Sequence, residues 1–469
     1  AGGAAEYWIR PAGARDLVGI AAVAISGVAA LASGGALHRY GRRHHAASGT
    51  MTRREATLAV VLIWVFSGVF GGLPFVLGAG MTPTDAFFEA ISGLTTTGAT
   101  VITDIEVRLS HPLLLWRSLL QWLGGMGIVV LFVAVFPTVG AGAKHMFKGE
   151  VPGTTAEGLA PRIAETSFTL WKLYAGFTVL LAGILIALGM SPFESVCHAL
   201  TALSTGGFST RDASIAAFDS AAIEYVLAIF MLIGSVNYAL YHAMLRMRSI
   251  RVFLLSTELK AFVAIVIVTT AILTVGILGV HGGDPLEAFR YAFFTVATFI
   301  SSTGYGTDDY MTYPHAMVAL IVIVMFIGGC SGSTAGGLKV ERVVLLWKLG
   351  WAEIHRSFRP AVIRVVRMGR AAVPPDVLMD VAVFFGVFML CLGGGVFLVT
   401  LFDPVGPAAA FGATLTCLSN MGPAPFHEGP DNFAAYSDAS KIFFSLAMLL
   451  GRLEFFTMFA LLVPDFWRR

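Results

Sequence analysis

The chain has 469 residues, of which 56% are hydrophobic and only 13% are charged. A water-soluble domain needs a charged surface, so this composition excludes one and indicates a polytopic membrane protein. The formal net charge of +2 favours no class of partner, and we expect no nucleic-acid binding. The cysteines are scattered through apolar segments without the spacing of a metal site, so we expect no cofactor in this chain.

Apolar stretches long enough for a helix to cross a bilayer, about 20 residues each, recur along the chain. We predict membrane spans at residues 15–36, 55–79, 112–137, 166–189, 220–244, 258–280, 314–346, 376–402 and 437–463. A basic turn with histidines between His38 and His45 follows the first span. That turn lacks a second ligand group at a defined spacing, so metal binding there is disfavoured.

Charged residues divide the connections between these spans into two sets. The basic set is expected to face the cytoplasm by the positive-inside rule. It contains Arg39, Arg42, Arg43, Arg53, Arg54, Lys144, Lys148, Arg246, Arg248, Arg251 and the run from Lys339 to Arg370. The alternating set is acidic and contains Asp85, Glu89, Asp104, Glu106, Asp212, Asp219, Asp284, Glu287, Asp308, Asp309, Asp403, Glu428 and Asp431. An acidic outer mouth would concentrate cations; the alternative is that these carboxylates belong to ordinary solvated loops.

Four segments share one plan, in which a short apolar helix of about ten residues is followed by hydroxyl residues and a glycine turn. They are residues 86–100, 192–210, 285–307 and 404–425. Aligning the segments on the turn places Gly98, Gly206, Gly304 and Gly422 in register, and each segment lies between two predicted spans. The sequence therefore predicts an all-α polytopic membrane protein with four tandem M1-P-M2 repeats around one pore and one additional N-terminal transmembrane helix.

Helices this short cannot cross a bilayer, so the four segments are expected to be re-entrant and to meet on one axis. Glycine at the turn allows positive φ and lets backbone carbonyls approach that axis. Rings of carbonyls replace the hydration shell of a cation, and the helix C-termini add partial negative charge. The candidate ion-binding filter residues are Thr96, Thr97, Gly98, Ser204, Thr205, Gly206, Ser302, Thr303, Gly304, Asn420, Met421 and Gly422.

Motifs along nearly the whole chain resemble the Trk/Ktr/HKT superfamily of potassium transporters, and within it the bacterial TrkH type. They are DAFFEAISGLTTTGATVI at 85–102, QWLGGMGIVVL at 121–131, PRIAETS at 161–167, STGGFST at 204–210, FIGGCSGSTAGGLKVER at 326–342, SNMGP at 419–423 and GRLEFFT at 451–457. The resemblance implies potassium-channel-like repeats, with potassium bound at the filter positions as the substrate. It also implies a homodimer in the bacterial inner membrane that binds a cytoplasmic nucleotide-binding regulatory subunit of the TrkA type.

The repeats suggest a division of the chain into an N-terminal extra segment and pore repeats. The boundaries are 1–50 for the extra segment and basic turn, then 51–150, 151–252, 253–370 and 371–469 for the repeats. In the family, serine at the first turn is associated with sodium passage, so Gly98 implies a preference for potassium. Met421 and Ala424 depart from the family pattern in the fourth segment, where relatives usually carry glycine at the position of Ala424.

Glycine is dense in the span predicted at 314–346, and each glycine costs about 1 kcal/mol in a helix, so we expect the helix to break there. The resemblance assigns to this break an intramembrane gate beneath the filter. The candidate gate residues are Gly328, Gly329, Ser331, Gly332, Ser333, Thr334, Gly336, Gly337 and Lys339. The alternative is close helix packing through small residues.

Arg452 lies among apolar residues of the last predicted span. A charge at membrane depth is normally turned toward a cavity or a partner. The resemblance assigns Arg452 the role of an electrostatic barrier in the pore below the filter. The alternatives for its contacts are a structural ion pair with Glu454 and hydrogen bonds to a neighbouring filter loop.

The predicted function is potassium uptake through a filter of four re-entrant glycine loops, gated by the intramembrane loop and a regulatory subunit. The alternative is a cation symporter that couples potassium to protons or sodium, although such carriers more usually have inverted repeats and paired ionisable groups at the midplane. The spans contain neither a nucleophile with a base nor clustered metal ligands, so we do not expect an enzyme. The basic run from Lys339 to Arg370 fits a docking surface for the regulatory subunit or a site for anionic lipid.

Overall fold

A computed structural model describes residues 12–43, 52–127, 163–359, 365–369, 371–427 and 431–468. Several predicted features lie outside these ranges. They are residues 128–137 of the predicted span at 112–137, residues 128–131 of the motif at 121–131 and residues 161–162 of the motif at 161–167. The others are Lys144, Lys148, His44, His45, Arg364, Arg370 and Glu428.

The first half of the described chain is helical. Its helices are α1 Ala12–Arg43, α2 Arg53–Ala79, α3 Pro83–Leu94, α4 Ile105–Arg108, α5 His111–Met126, α6 Ile163–Ala187, α7 Pro192–Leu203, a 3₁₀ turn at Ser214–Phe218, α8 Ala221–Gly234, α9 Tyr238–Met247 and α10 Arg251–Leu255. Helices α1, α2 and α6 are long and apolar enough to cross a membrane.

The second half has the same character, apart from one short hairpin. Its elements are α11 Thr257–Ile277, α12 Pro285–Ile300, a 3₁₀ turn at Tyr310–Thr312, α13 His315–Ile327, α14 Val340–Phe358, β1 Arg367–Met368, β2 Ala371–Ala372, α15 Pro375–Phe402, α16 Pro407–Ser419, α17 Asp438–Leu453, α18 Phe455–Ala460 and α19 Pro464–Trp467. β1 and β2 pair antiparallel, with Arg367 opposite Ala372. Helices α11 and α15 also meet the requirements of a membrane span, so the fold is that of an all-α polytopic membrane protein, as predicted.

Proline starts each of the four short helices that precede the predicted glycine turns, α3, α7, α12 and α16. The first helical position suits proline because its backbone N–H would have no partner within the helix. The side chains of Thr82, Ser191 and Asp284 cap the first three of these helices by accepting backbone N–H groups. These local signals fix where the short helices begin.

The short helices pack in a closed cycle with the helices that follow them. Helix α5 packs on α7, α8 on α12, α13 on α16, and α17 on α3, so the last contact joins the end of the chain to its beginning. Each short helix also packs against the long helix before it. The C-terminal ends of the four short helices are thereby brought together at the centre of the molecule.

The span predicted at 220–244 is not one straight helix, because it is bent by 84° between α8 and α9. The glycine-rich stretch after α13 is inserted at the bend. The Cys330 N–H donates to the Ser235 carbonyl at 2.9 Å, and the Tyr238 N–H donates to the Gly332 carbonyl at 3.1 Å. The side chain of Asn237 caps the new helix at its start. Backbone bonds to a distant segment therefore replace the intrahelical bonds lost at the bend.

The break predicted within 314–346 is confirmed, since α13 ends at Ile327 and α14 begins at Val340. The span predicted at 437–463 is also interrupted, at Glu454, whose φ is 61°. Glu454 forms an ion pair with Arg342 of α14. The helix is therefore interrupted at the residue that contacts α14.

Candidate functional site

The four short helices end in loops that share one backbone feature, a positive φ at a residue other than glycine, whereas the glycine two residues later has a positive φ in the first three loops only. We call residues 95–100 loop 1, 204–209 loop 2, 301–306 loop 3 and 419–424 loop 4. A non-glycine residue with positive φ begins each turn, with values of 55°, 55°, 56° and 51° at Thr96, Thr205, Ser302 and Asn420. Residues other than glycine rarely adopt this conformation. Its recurrence at the matching place in all four loops indicates one shared design.

The backbone hydrogen bonds fix the register of the four loops. The residue after each positive-φ position donates its N–H to the carbonyl five residues back, in the pairs Thr97 to Ser92, Gly206 to Thr201, Thr303 to Thr298 and Met421 to Thr416, at 2.9–3.0 Å. This register places Gly98, Gly207, Gly304 and Gly422 at equivalent positions. The sequence alignment on Gly206 is therefore wrong by one residue, because Gly206 corresponds to Thr97, Thr303 and Met421.

The loops touch one another in chain order and close a ring. A Cβ atom placed on Gly98 would overlap the carbonyl oxygen of Gly206, and one placed on Gly207 would overlap that of Thr303. A Cβ on Gly304 would lie 3.0 Å from the Gly422 nitrogen, and one on Gly422 would lie 3.1 Å from the Gly98 oxygen. Such close approach between backbones requires glycine. The predicted filter residues are thus brought together.

Hydrogen bonds between hydroxyl side chains of the same loop stabilise two of the loops. The hydroxyls of Thr95 and Thr97 lie 2.7 Å apart in loop 1, and those of Ser301 and Thr303 lie 2.6 Å apart in loop 3. Loop 4 reaches loop 1 through the Asn420 amide, which donates to the Thr97 hydroxyl at 3.1 Å. A fixed ring of carbonyls at the negative ends of four helices can replace the water around a monovalent cation.

A cavity of about 460 Å³ opens on one side of the ring and reaches all four loops at Gly98, Gly207, Gly304 and Gly422. Acidic side chains contribute to its lining. They are Asp212, Asp308, Asp309 and Asp431. The arginines that also line it are partnered by carboxylates, Arg117 by Glu89 at 2.7 Å and Arg211 by Glu194 at 2.7 Å. The lining as a whole therefore favours cations over anions.

Glu194 lies in the first turn of α7, outside the spanning helices. Its partial burial works against ionisation, but bonds from the Ser191 hydroxyl and the Arg211 guanidinium hold the pKa of its carboxyl below the usual value. Arg211 also pairs with Glu106 at 3.0 Å, so it ties loop 2 to the segment after loop 1. These bonds need the ionised carboxylate, because a protonated group accepts them poorly.

We expect acidic pH to weaken the contacts of Glu194 with Ser191 and Arg211 and so to lower the stability of the fold. A carboxyl whose pKa is lower in the folded chain stabilises the fold above its unfolded pKa, near 4.3, and that contribution is lost as the pH falls through the folded value. Glu194→Gln should reduce stability by at most about 1 kcal/mol at neutral pH, because Arg211 is partly exposed. Thermal unfolding in detergent at a series of pH values checks this. A variant that loses stability on acidification as steeply as the wild type would contradict it.

The glycine-rich segment, residues 328–339, lies against the starts of the loops, where the short helices end. The Gly336 N–H donates to the Ser302 hydroxyl at 2.6 Å, and the Gly337 N–H donates to the Ser419 carbonyl at 2.9 Å. The hydroxyl of Thr334 donates to the Leu203 carbonyl at 3.2 Å. The segment therefore contacts the ends of α7, α12 and α16 at once.

The other predicted gate residues hold this segment in shape. Gly328, Gly332 and Gly337 have φ values of 70–79°, and Lys339 has a φ of 78°. Ser331 donates its N–H to the Glu258 carboxylate at 2.6 Å, the Ser333 hydroxyl donates to Cys330, and the buried Lys339 ammonium donates to the Ala335 carbonyl. Gly329 packs against Ser235 and Ala335, where a Cβ would overlap them.

Arg452 joins the glycine-rich segment to the helix that follows loop 1. Its guanidinium donates to the Thr334 carbonyl at 3.0 Å and to the Gly125 carbonyl at 2.9 Å, and it also contacts the Gly124 carbonyl. The ion pair of Glu454 is with Arg342. The space beside Arg452, Gly336 and Asn420 measures about 10 Å³, room for about one water molecule. Among the described residues, the glycine-rich segment and Arg452 therefore leave little space beside Asn420.

Comparison with known proteins agrees with this arrangement. Residues 21–467 match the family model TrkH, which describes a cation transport protein. The chain is 38% identical over 448 residues to the Trk system potassium uptake protein TrkH of Salmonella typhimurium, covering 94% of this chain and 90% of that protein. It is 39% identical over 442 residues to the TrkH of Halomonas elongata, covering 93% and 90%. The crystal structure of the potassium transporter TrkH from Vibrio parahaemolyticus matches with a TM-score of 0.81 at 34% identity, covering 90% of this chain and 88% of that chain.

The chain belongs to the TrkH family. This confirms the resemblance inferred from the motifs and makes the protein a multi-pass membrane transporter of the Trk type.

Three buried polar residues of this TrkH-family chain were not predicted from the sequence as site residues. Glu89 was grouped with the acidic outer loops, yet it is fully buried in α3 and paired with Arg117, so that assignment is wrong. Arg117 and Gln121 lie one turn apart in the apolar helix α5. A buried ionisable residue within a membrane helix is itself a sign of function, and that signal was present in the sequence.

Proposed function

We propose that this protein takes up potassium across a bacterial inner membrane by passing the ion through the ring formed by loops 1–4. The observation that carries the proposal is the closed ring of four loops, each with a positive-φ residue at the matching place, since rings of carbonyls are how proteins replace the hydration shell of potassium. The names of the matched proteins, potassium uptake protein and potassium transporter, support the same substrate.

Within this proposal the filter residues are the twelve predicted ones together with Gly207. The glycine-rich segment then serves as the gate, because it lies under three of the four loops and fills the space beside Arg452. Arg452 places a positive charge at the same level, which raises the energy of a passing cation. A change in the position of the segment would open the path.

Partners follow from the family resemblance. We infer a homodimer and a cytoplasmic nucleotide-binding regulatory subunit of the TrkA type. Helix α14 begins where the glycine-rich segment ends and exposes Trp347 and Trp351, with Lys348 and Arg356 also at the surface. A protein bound to this helix could therefore move the segment directly.

Reconstitution of the purified chain in liposomes tests the proposal. We expect uptake of potassium and rubidium with sodium largely excluded, and a reversal potential that follows the potassium gradient alone. A reversal potential that shifts with the proton or sodium gradient would favour the alternative, a coupled symporter. Absence of any cation flux, even after the glycine-rich segment is shortened, would contradict the pore.

We also expect the acidic mouth to increase the rate of uptake by attracting cations. Asp308 lines the cavity, and its carboxylate accepts the Tyr313 hydroxyl at 2.9 Å. Asp308→Asn should lower rubidium uptake about two- to threefold at low ionic strength, and the difference should shrink at about 0.15 M salt because the charge is screened. Asp104→Asn is the matched control, since Asp104 is an exposed carboxylate that does not line the cavity. Equal effects of the two changes would contradict this role.

A further inference from the structure

Helix α5 carries two polar side chains one turn apart, Arg117 and Gln121, which are 2% and 0% exposed. Burying a guanidinium and an amide is costly unless each hydrogen-bonding group finds a partner. Both side chains point to loop 2, although they belong to the helix that follows loop 1. Their placement therefore concerns the ring of loops and not only the packing of α5.

Gln121 forms hydrogen bonds with loop 2 on both sides of Gly207. Its Nε2 donates to the Gly206 carbonyl at 2.6 Å, and its Oε1 accepts the Phe208 N–H at 3.0 Å. A Cβ atom on Gly206 would overlap the Gln121 amide, so the absence of a side chain at Gly206 is what lets the amide approach. The conformation of the peptides around Gly207 is thus set by a side chain from outside the loop.

Arg117 adds a further hydrogen bond to loop 2 and connects that loop to loop 1. Its Nη1 donates to the Ser209 carbonyl at 2.9 Å, and its guanidinium carbon lies 3.5 Å from the centre of the Phe208 ring. Its Nε donates to Glu89 at 2.7 Å. The Glu89 carboxylate in turn accepts the Thr100 hydroxyl at 3.0 Å and the Val101 N–H at 3.1 Å. A continuous series of bonds therefore runs from loop 1 to loop 2.

Loop 2, like loop 4, lacks the bond between two hydroxyl side chains that loops 1 and 3 contain. In loops 1 and 3 the residue before the turn glycine, Gly98 or Gly304, is a threonine, Thr97 or Thr303, whose hydroxyl bonds to the residue two positions earlier. The equivalent residue of loop 2 is Gly206, which has no side chain. Gln121 instead supports loop 2 through its backbone, at the Gly206 carbonyl and the Phe208 N–H.

We propose that Gln121, supported by the Glu89–Arg117 pair, is a positioning residue that determines ion specificity by fixing the Gly206 carbonyl in the ring. The proposal rests on the proposed function, because specificity has meaning only if the ring passes cations. A fixed carbonyl holds the ring at one diameter, whereas a freed one can move inward to a smaller ion such as sodium.

The test compares labelled sodium and rubidium uptake by liposomes that contain wild-type chain, Gln121→Met or Gln121→Glu. Methionine keeps the length of the side chain but loses both bonds, so the sodium-to-rubidium ratio should rise about fivefold, which corresponds to about 1 kcal/mol. A protonated glutamate offers the same donor and acceptor as the amide, so Gln121→Glu should discriminate better at acidic than at alkaline pH. Ser118→Ala is the matched control, because Ser118 is buried in the same helix and its hydroxyl bonds to the Leu114 carbonyl of α5 and to the Cys197 thiol of α7, outside the four loops.

The outcomes separate this proposal from the one on which it rests. If the wild-type chain passes no rubidium or does not exclude sodium, the proposed function fails whatever the variants do. If the wild type discriminates and Gln121→Met stays within about twofold of it, the positioning role is overturned. If neither Gln121 variant folds, Arg117→Lys tests the role instead. Lysine keeps the positive charge that pairs with Glu89, but it cannot also donate a hydrogen bond to the Ser209 carbonyl as the guanidinium does. An unchanged ratio in that variant would also overturn the role.

Discussion

Gly98→Ser is expected to raise sodium uptake relative to rubidium uptake about tenfold, a change of about 1.4 kcal/mol in discrimination. Gly98 has a φ of 84°, a conformation that a side chain disfavours. The added Cβ would overlap the Gly206 carbonyl oxygen and would lie 3.5 Å from the Gly422 Cα. Loop 2 must therefore move away from loop 1, whereas loop 4 stays in ordinary contact, and the ring loses the diameter that excludes sodium.

The measurement is paired uptake of labelled rubidium and sodium in liposomes. Gly183→Ser is the matched control, because Gly183 lies in the spanning helix α6 with open space around the position of a new Cβ. We expect this control to keep the wild-type ratio. If Gly98→Ser folds, passes rubidium and still excludes sodium as the wild type does, the ring of loops is not the selective element.

The sequence analysis found the four loops because their signals are local. Proline at the start of a short apolar helix and glycine after hydroxyl residues are features of neighbouring residues, and the structure contains both. The register of loop 2 could not be read in this way, because Gly206 and Gly207 are adjacent and either fits the turn. Only the bond from Gly206 to Thr201 and the positive φ of Gly207 distinguish them.

Contacts between distant segments explain the other differences. The residues of α8 and α9 form one apolar run, in which Gly234, Ser235 and Asn237 permit a break but do not fix a bend of 84°. The bend exists because Cys330 and Gly332, about 95 residues away in the chain, supply the backbone partners. Glu89 was misassigned for the same reason, since its carboxylate resembles those of the outer loops until the position of Arg117 is known.

Arg452→Gln is expected to increase rubidium uptake about tenfold, equivalent to about 1.4 kcal/mol at the barrier. Two effects act in the same direction. Loss of the guanidinium removes a positive charge from the path below the ring, where a low dielectric makes charges effective. It also removes the bonds that tie the Thr334 carbonyl to those of Gly124 and Gly125, which frees the glycine-rich segment.

Arg356→Gln is the matched control, because Arg356 is exposed on α14 and its ion pair within the described part of the chain is with a neighbour on the same helix, Glu353. Unchanged or lower uptake by a folded Arg452→Gln would contradict both effects. Arg452→Lys then separates them, since lysine keeps the charge but is a single point donor that cannot bridge Thr334 and Gly125 together. Low uptake by the lysine variant would assign the barrier to charge. High uptake, equal to that of the glutamine variant, would assign it to the tether that holds the segment under the loops.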